Sequence, residues 1–157
     1  MKLFLLVLLI SPLFVFSQKI KINEFDKYVK QKRIEFEPLT VYSTPKAKVA
    51  LSLKCVGSKY YVTISGYGWG VSTISSDNEA IFLLSNDSTI SVKSTGMQTY
   101  EISSTVSNYT HRYNITIKDV EMLMRHKIVG SRKYNVQDFS DLEVPPQFGE
   151  KVKQMSS

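Results

Sequence analysis

The residues that could do chemistry are few in this 157-residue sequence, and their spacing matches no catalytic or metal-binding motif. The single cysteine, Cys55, and the two histidines, His111 and His126, lack the paired spacing typical of zinc ligands. No serine or cysteine stands in a nucleophile motif, and His111 falls on the apolar side of a predicted strand, where a core position is expected. The sequence predicts no metal and no cofactor, and it favours a non-enzymatic role without excluding an enzyme.

Three carboxylates near the C-terminus are a second candidate for chemistry. Asp138, Asp141 and Glu143 lie close together in the chain but lack the alternating spacing of a calcium-binding loop. Two of them could act as acid and base on a glycoside, yet the sequence gives them no distinct environments. We expect all three to be solvated.

The stretch most suggestive of ligand binding is Gly66-Tyr-Gly-Trp-Gly70, where two large aromatic residues alternate with three glycines. Tyr67 and Trp69 could project from a turn and stack on a sugar ring or on a side chain of a partner protein. Alternatively, the glycines bend an edge strand, and Tyr67, Trp69 and Val71 continue one face into the core. Tyr67 and Trp69 are therefore the candidate ligand-binding residues, with both interpretations open.

Positive charge is concentrated near the N-terminus. The chain has 20 lysines and arginines against 14 aspartates and glutamates, and six of the basic residues fall within residues 19–33, namely Lys19, Lys21, Lys27, Lys30, Lys32 and Arg33. A basic arm over 18–37, which includes a first strand, could contact an anionic envelope surface or polysaccharide, although a solvated arm is the plainer interpretation. No known arrangement of stacking aromatics and basic residues is present, so nucleic acid is not predicted as a partner.

The first 17 residues have the pattern of a secretory signal peptide. Met1-Lys2 precedes an uncharged apolar run over 3–16, and Ser17 is a small residue suited to cleavage. The run is shorter than the roughly 20 residues that cross a bilayer, so a retained transmembrane anchor is the second interpretation. We predict a secreted or periplasmic protein with no transmembrane anchor after cleavage near Ser17. Its only cysteine, Cys55, excludes an internal disulfide and is expected to be a small buried hydrophobe.

Alternation of apolar and polar residues dominates the remaining sequence and predicts short antiparallel strands. The runs 80–84 and 89–93 flank a polar turn, and further strands are expected over 34–36, 40–42, 48–56, 60–65, 99–106 and 109–117. Thr116 and Asp119 form a weak capping box, which predicts a short helix over 117–126. The predicted class is α+β, mainly antiparallel β: a sandwich or partly open barrel of about seven or eight strands with one short helix near the C-terminal third. We expect the core domain over 38–135 and a polar tail over 136–157.

The order of these elements resembles a known group of proteins. The pattern consists of an apolar strand, a polar turn, Thr-Ile-Ser-Val at 89–92, the run from Tyr113 to Leu123, His-Lys-Ile at 126–128 and the run from Arg132 to Tyr134. Over about residues 25–134 it resembles a group of small secreted proteins of Bacteroidetes, which implies a bacterial exported protein and no known activity. Members of that group usually have an apolar residue just before the arginine, where this chain has Ser131.

Three hypotheses about function follow from these observations. The first is an exported non-enzymatic binding or interaction module of the cell envelope, with an envelope protein or a glycan as its partner. The second is an envelope hydrolase acting on a glycan or a peptide. The third is a small accessory or inhibitor-like protein that occludes a partner, which an exposed apolar patch beside a free strand edge would favour.

Overall fold

The computed structural model describes residues 20–28, 30–68, 73–102 and 107–147. The strands of this part are β1 (Ile20–Asp26), β2 (Gln31–Phe36), β3 (Leu39–Ser43), β4 (Lys48–Val56), β5 (Lys59–Tyr67), β6 (Glu79–Leu84), β7 (Thr89–Ile102), β8 (Ser107–Ile115), β9 (Ile128–Tyr134) and β10 (Phe139–Glu143). The helix α1 is Ile117–Arg125. The predicted signal peptide over 1–17, its cleavage near Ser17 and the candidate residue Trp69 lie outside the described residues.

All the strands belong to one antiparallel sheet that is not closed. Its order is β1-β2-β4-β5-β8-β7-β6-β9-β10, and β3 pairs with β4 along the edge that β2 also uses. Within the described part of the chain, β1, β3 and β10 each pair with a single strand and keep one free edge. The predicted fold class, mainly antiparallel β arranged as a sandwich or open barrel with one short helix, is confirmed.

Strand β7 connects two halves of the sheet. The first half contains β1 to β5 and β8, and the second half contains β6, β9 and β10. The sequence predicts two separate strands here, over 89–93 and 99–106, but the structure has one strand over Thr89–Ile102. Its first part pairs with β6 and its second part with β8, and the register shifts between Ser94 and Gln98. Gly96 lies in this shift with φ 73°, which glycine adopts without steric cost. A glycine bulge therefore bends one strand where the sequence pattern suggests a break.

The sheet has ten strands, more than the seven or eight predicted, partly because both ends of the described chain contain an additional pairing. Residues 20–36 form a two-stranded hairpin whose turn is held by Asp26, since its carboxylate accepts the N–H of Tyr28 at 2.9 Å. In the stretch predicted as a polar tail, β10 pairs with β9 and buries Leu142. Neither end has the glycine or apolar run that usually marks a hairpin in sequence.

The hydrophobic core lies between the two halves of the sheet. It is built from aliphatic and aromatic side chains of both halves: Val41, Val49, Leu51, Val62, Ile64, Phe82, Leu84, Ile90, Val92, Tyr113, Ile128 and Leu142. Helix α1 covers one end of this core with the buried Leu123. The helix starts at Thr116, whose side chain accepts the N–H of Asp119 while the Asp119 carboxylate accepts the N–H of Thr116, so the predicted capping box is present.

No helix among the described residues is both long enough and apolar enough to cross a membrane.

Candidate functional site

An open groove runs between the two halves of the sheet at its unclosed side. We call it the β3/β10 groove, and its volume is about 830 Å³. The first half of the sheet contributes Tyr42, Ala47 and Gly68 to its lining, and the second half contributes β9, β10 and the following Pro145 and Pro146. This volume is typical of clefts that bind small or extended ligands.

The lining of the β3/β10 groove combines exposed apolar side chains with carboxylates. Leu83 and Val129 are 40% and 39% exposed, and Asp141 and Glu143 lie two residues apart on β10, so both carboxylates are on the same face of that strand. Glu143 is opposite Gly130 in the β9–β10 pairing, and the side chain of Leu83 lies beside Gly130. A neighbouring depression of about 380 Å³ shares Leu83, Gly130, Asp141 and Glu143 and extends the surface along the sheet.

Asp141 is fixed in the groove by an ion pair with Arg132. The guanidinium donates to both carboxylate oxygens at 2.7 Å, and it also lies 4.1 Å from the centre of the Phe139 ring. The hydrogen bonds from Arg132 hold the pKa of the Asp141 carboxyl below its usual range. Asp141 is therefore ionised at neutral pH and can accept hydrogen bonds but cannot donate a proton.

Gly68, within the predicted aromatic turn, lines this groove. Strand β5 ends at the half-buried Tyr67, and it is a central strand, because Tyr67 is paired with both Lys48 and Asn108. A side chain at Gly66 would overlap the backbone carbonyl of Lys48, and Gly68 has φ 74°. Both glycines are thus required by backbone geometry.

Of the two candidate ligand-binding residues, the structure describes only Tyr67. Gly68 lines the groove directly after Tyr67, whereas Trp69 is not among the described residues. The glycines have a structural role, but this role does not decide between stacking on a ligand and packing in the core. Ligand binding by Tyr67 and Trp69 stays a prediction.

A second group of polar residues lies inside the core, and we call it the polar core cluster. His111 and Lys133 are fully buried, with His111 Nδ1 3.4 Å from Lys133 Nζ and His111 Nε2 3.1 Å from the Tyr100 hydroxyl. Lys133 Nζ also lies 4.3 Å from the centre of the Tyr109 ring, a cation–π distance. The core position predicted for His111 is confirmed.

Burial controls the protonation of the polar core cluster. Desolvation lowers the pKa of Lys133 to about 7, and desolvation together with the nearby Lys133 charge lowers the pKa of His111 to about 3. Burial also raises the pKa of Tyr109 and Tyr113, whose hydroxyls have no hydrogen-bond partner among the described residues. Perturbed pKa values often mark active sites, but His111, Lys133, Tyr109 and Tyr113 are each at most 1% exposed, which favours a structural role for these four side chains.

The other residues considered for chemistry are separated from one another. Cys55 is half-buried, less than the core position predicted for it, and its Sγ lies 3.3 Å from the carbonyl of Gly57. Asp138 lies in the β9–β10 turn, where its N–H donates to the Asn135 side chain at 2.7 Å, and it is not part of the groove lining. In residues 20–28, 30–68, 73–102 and 107–147, no group of three His, Cys, Asp or Glu side chains is close enough to hold a metal ion.

Sequence reasoning did not identify Lys133 or the groove. Lys133 follows Arg132 in a stretch whose charges predict exposure to solvent. The one signal for burial is that Lys133 lies two residues after Ser131, and therefore on the same face of the strand, where the Ser131 hydroxyl is also buried. The groove is formed by segments far apart in sequence, so no local pattern contains it.

No protein-family model, no curated protein and no solved structure matches the chain.

Proposed function

We propose that this protein is an exported, non-enzymatic binding module of the cell envelope and that it binds a carbohydrate in the β3/β10 groove. The observation that supports this proposal is the open groove of about 830 Å³ that begins at Gly68, directly beside the predicted aromatic turn. Export itself rests on the signal-peptide pattern of residues 1–17.

The chemistry of the groove suits a sugar. Saccharides present hydroxyl groups that need acceptors at their edges and apolar C–H faces that pack on aromatic and aliphatic side chains. Asp141 and Glu143 supply acceptors, and Tyr42 and Pro145 supply surfaces for packing. Tyr67, the last residue of β5, and Trp69, two residues further along the chain, are proposed to stack on the same ligand.

An envelope hydrolase is supported less well by the same groove. Glycoside cleavage by two carboxyl groups needs one of them protonated as the general acid. Asp141 cannot fill that role, because Arg132 lowers its pKa. Glu143 would have to be the acid, which makes loss of any cleavage in a Glu143→Gln variant the specific test of this alternative.

A protein partner is the second candidate occupant. Leu83 and Val129 are exposed beside β10, whose outer edge has no partner strand within the described residues. An apolar patch next to a free strand edge is what an accessory or inhibitor-like protein would use to occlude a partner.

The test is a screen of defined oligosaccharides followed by calorimetric titration of those that bind. Replacing Glu143 by Gln removes a charged acceptor with little change in shape, and we expect affinity to fall by roughly tenfold or more. Glu121→Gln is the matched control, because Glu121 is exposed on α1 and does not line the groove. Binding that is equal in both variants, or no binding to any saccharide, would contradict the proposal, and product formation detected by mass spectrometry would favour the hydrolase.

A further inference from the structure

The β1–β2 hairpin projects from the body of the protein. Strand β2 pairs with β4 only through Arg33–Glu35, and Arg33 is opposite Val56, the last residue of β4. Residues 25–28 and 30–32, which we call the hairpin tip, therefore lie beyond Val56. Lys32 contacts the β4–β5 turn, because its carbonyl accepts the N–H of Gly57 at 2.9 Å. The outer edge of β1 has no partner strand in the described part of the chain, so the hairpin tip can be approached from its end and from its side.

The hairpin tip exposes aromatic rings among lysines. Phe25 is 66% exposed and Tyr28 is 86% exposed. The Nζ of Lys27 lies 5.2 Å from the centre of the Tyr28 ring, and Lys32 is directly opposite Phe25 in the β1–β2 pairing. Lys30 is exposed as well. Cations and apolar rings thus occupy one small, protruding surface.

The hairpin tip has a net positive charge. Its three lysines stand against a single acidic residue, Asp26, which gives 3 − 1 = +2. The Asp26 carboxylate also accepts the N–H of Tyr28, so part of its hydrogen-bonding capacity is used inside the turn. The tip therefore presents a net charge of +2 to a partner.

We propose that the hairpin tip docks on a lipid bilayer whose surface carries anionic headgroups. Phe25 and Tyr28 enter the boundary between headgroups and acyl chains, and Lys27, Lys30 and Lys32 lie against the lipid phosphates. This membrane contact is separate from the β3/β10 groove and does not depend on what the groove binds.

A bilayer explains the aromatic residues and the lysines together. Aromatic side chains are favoured at the membrane–water boundary, and lysines near an anionic surface each strengthen binding. Free phosphate would engage the lysines and would leave the Phe25 ring in water, since that ring has no polar group. Phe25 therefore distinguishes a lipid surface from a free phosphate ion.

The experiment is flotation of the exported chain with two kinds of vesicle. One vesicle is phosphatidylcholine alone, and the other contains about 30% phosphatidylglycerol, a fraction that gives a strongly anionic surface. The N-terminus is first determined by mass spectrometry, because a retained apolar run over 3–16 would itself bind lipid. We expect binding to the anionic vesicles, little binding to the neutral ones, and release when salt screens the charges.

Two double variants test the two parts of the hairpin tip. Lys27→Gln with Lys32→Gln should weaken binding to anionic vesicles roughly 30-fold, and Phe25→Ser with Tyr28→Ser should weaken it at least about tenfold.

Matched controls change equivalent residues elsewhere on the surface. Lys93 and Lys118, and likewise Val136, are exposed outside the hairpin tip. Lys93→Gln with Lys118→Gln removes the same charge, and Val136→Ser removes an exposed apolar side chain. Both controls should bind anionic vesicles within about twofold of the unmodified chain, since the attraction acts only near the surface.

Several results would overturn the proposal. These are the absence of binding to anionic vesicles, equal binding by the Phe25→Ser, Tyr28→Ser variant, and displacement of the protein from vesicles by millimolar inorganic phosphate. A different result would assign another partner. If the protein binds neither kind of vesicle but binds an extended polyglutamate peptide, and if Lys27→Gln with Lys32→Gln abolishes that binding, the hairpin tip is a site for an acidic protein instead of a membrane.

Discussion

Replacing the buried Lys133 by Met should remove a pH dependence of stability that this one side chain causes. Lys133 is fully buried beside His111 and the ring of Tyr109, and desolvation lowers its pKa from 10.5 to about 7. Met has a similar length, carries no charge and fills irregular core space. The variant therefore removes the titrating group and keeps most of the packing.

The sign and size of the effect follow from proton linkage. Because the pKa of Lys133 is lower in the folded than in the unfolded state, the unfolded chain binds more protons between about pH 7 and pH 10.5. Stability is then fully present above the unfolded pKa and is lost as pH falls toward the folded pKa. Between about pH 9 and about pH 7.5, a difference of one bound proton lowers the free energy of unfolding by about 2 kcal/mol. The Tyr109 ring stabilises the charged amine, so this figure is an upper value.

The pH range of this measurement lies below the range in which the buried tyrosines affect stability. Burial raises the pKa of Tyr109 and Tyr113, so their contribution is present below the unfolded tyrosine pKa and is lost only as pH rises beyond it, above about pH 10. Measurements between about pH 7.5 and pH 9 therefore report on Lys133 with little contribution from these hydroxyls.

Urea denaturation followed by circular dichroism at several pH values measures this free energy of unfolding. The unmodified chain should gain stability as pH rises from about 7.5 to about 9, and Lys133→Met should have a nearly flat profile. Lys118→Met is the matched control, because Lys118 is exposed on α1 and should keep the slope of the unmodified chain. A flat profile in the unmodified chain, or an unchanged slope in Lys133→Met, would refute the reasoning.

Two further predictions concern stability. Gly66→Ala places a Cβ against the Lys48 carbonyl and should destabilise the protein by about 3 kcal/mol. In the control Gly130→Ala the atom nearest to the new Cβ would be 3.6 Å away, so this variant should lose about 1 kcal/mol or less. Urea denaturation compares the two variants, and equal losses of stability would contradict the close approach of Gly66 to β4. Thr116→Ala removes the N-cap of α1 and should cost about 1 kcal/mol in the same assay, with an unchanged midpoint as the contrary result.

Local signals in the sequence predicted the parts of the fold that local chemistry controls. The β4–β5 hairpin turns at Gly57 with φ 60°, and the β6–β7 hairpin turns at Asp87 with φ 62°, as glycine and aspartate in those turns indicate. The capping box of Thr116 and Asp119 likewise marked the start of α1. These features depend on residues within a few positions of one another.

The remaining features depend on contacts between distant segments. Lys133 looks solvated in sequence, yet it is buried because β9 places it opposite Ala80 of β6 and near His111 of β8. The β3/β10 groove joins Tyr42 and Gly68 to residues of β10, and no periodic pattern records that approach. Tertiary pairing, which a single sequence does not encode locally, sets both features.

The measurement that tests the groove most directly is a nitrogen–proton NMR titration of the exported chain with a saccharide identified in the screen. Binding in the β3/β10 groove predicts concentration-dependent shifts of the backbone amides of Gly68, Gly130, Leu142 and Glu143, and smaller shifts at the hairpin tip. Shifts confined to other surfaces would contradict the account.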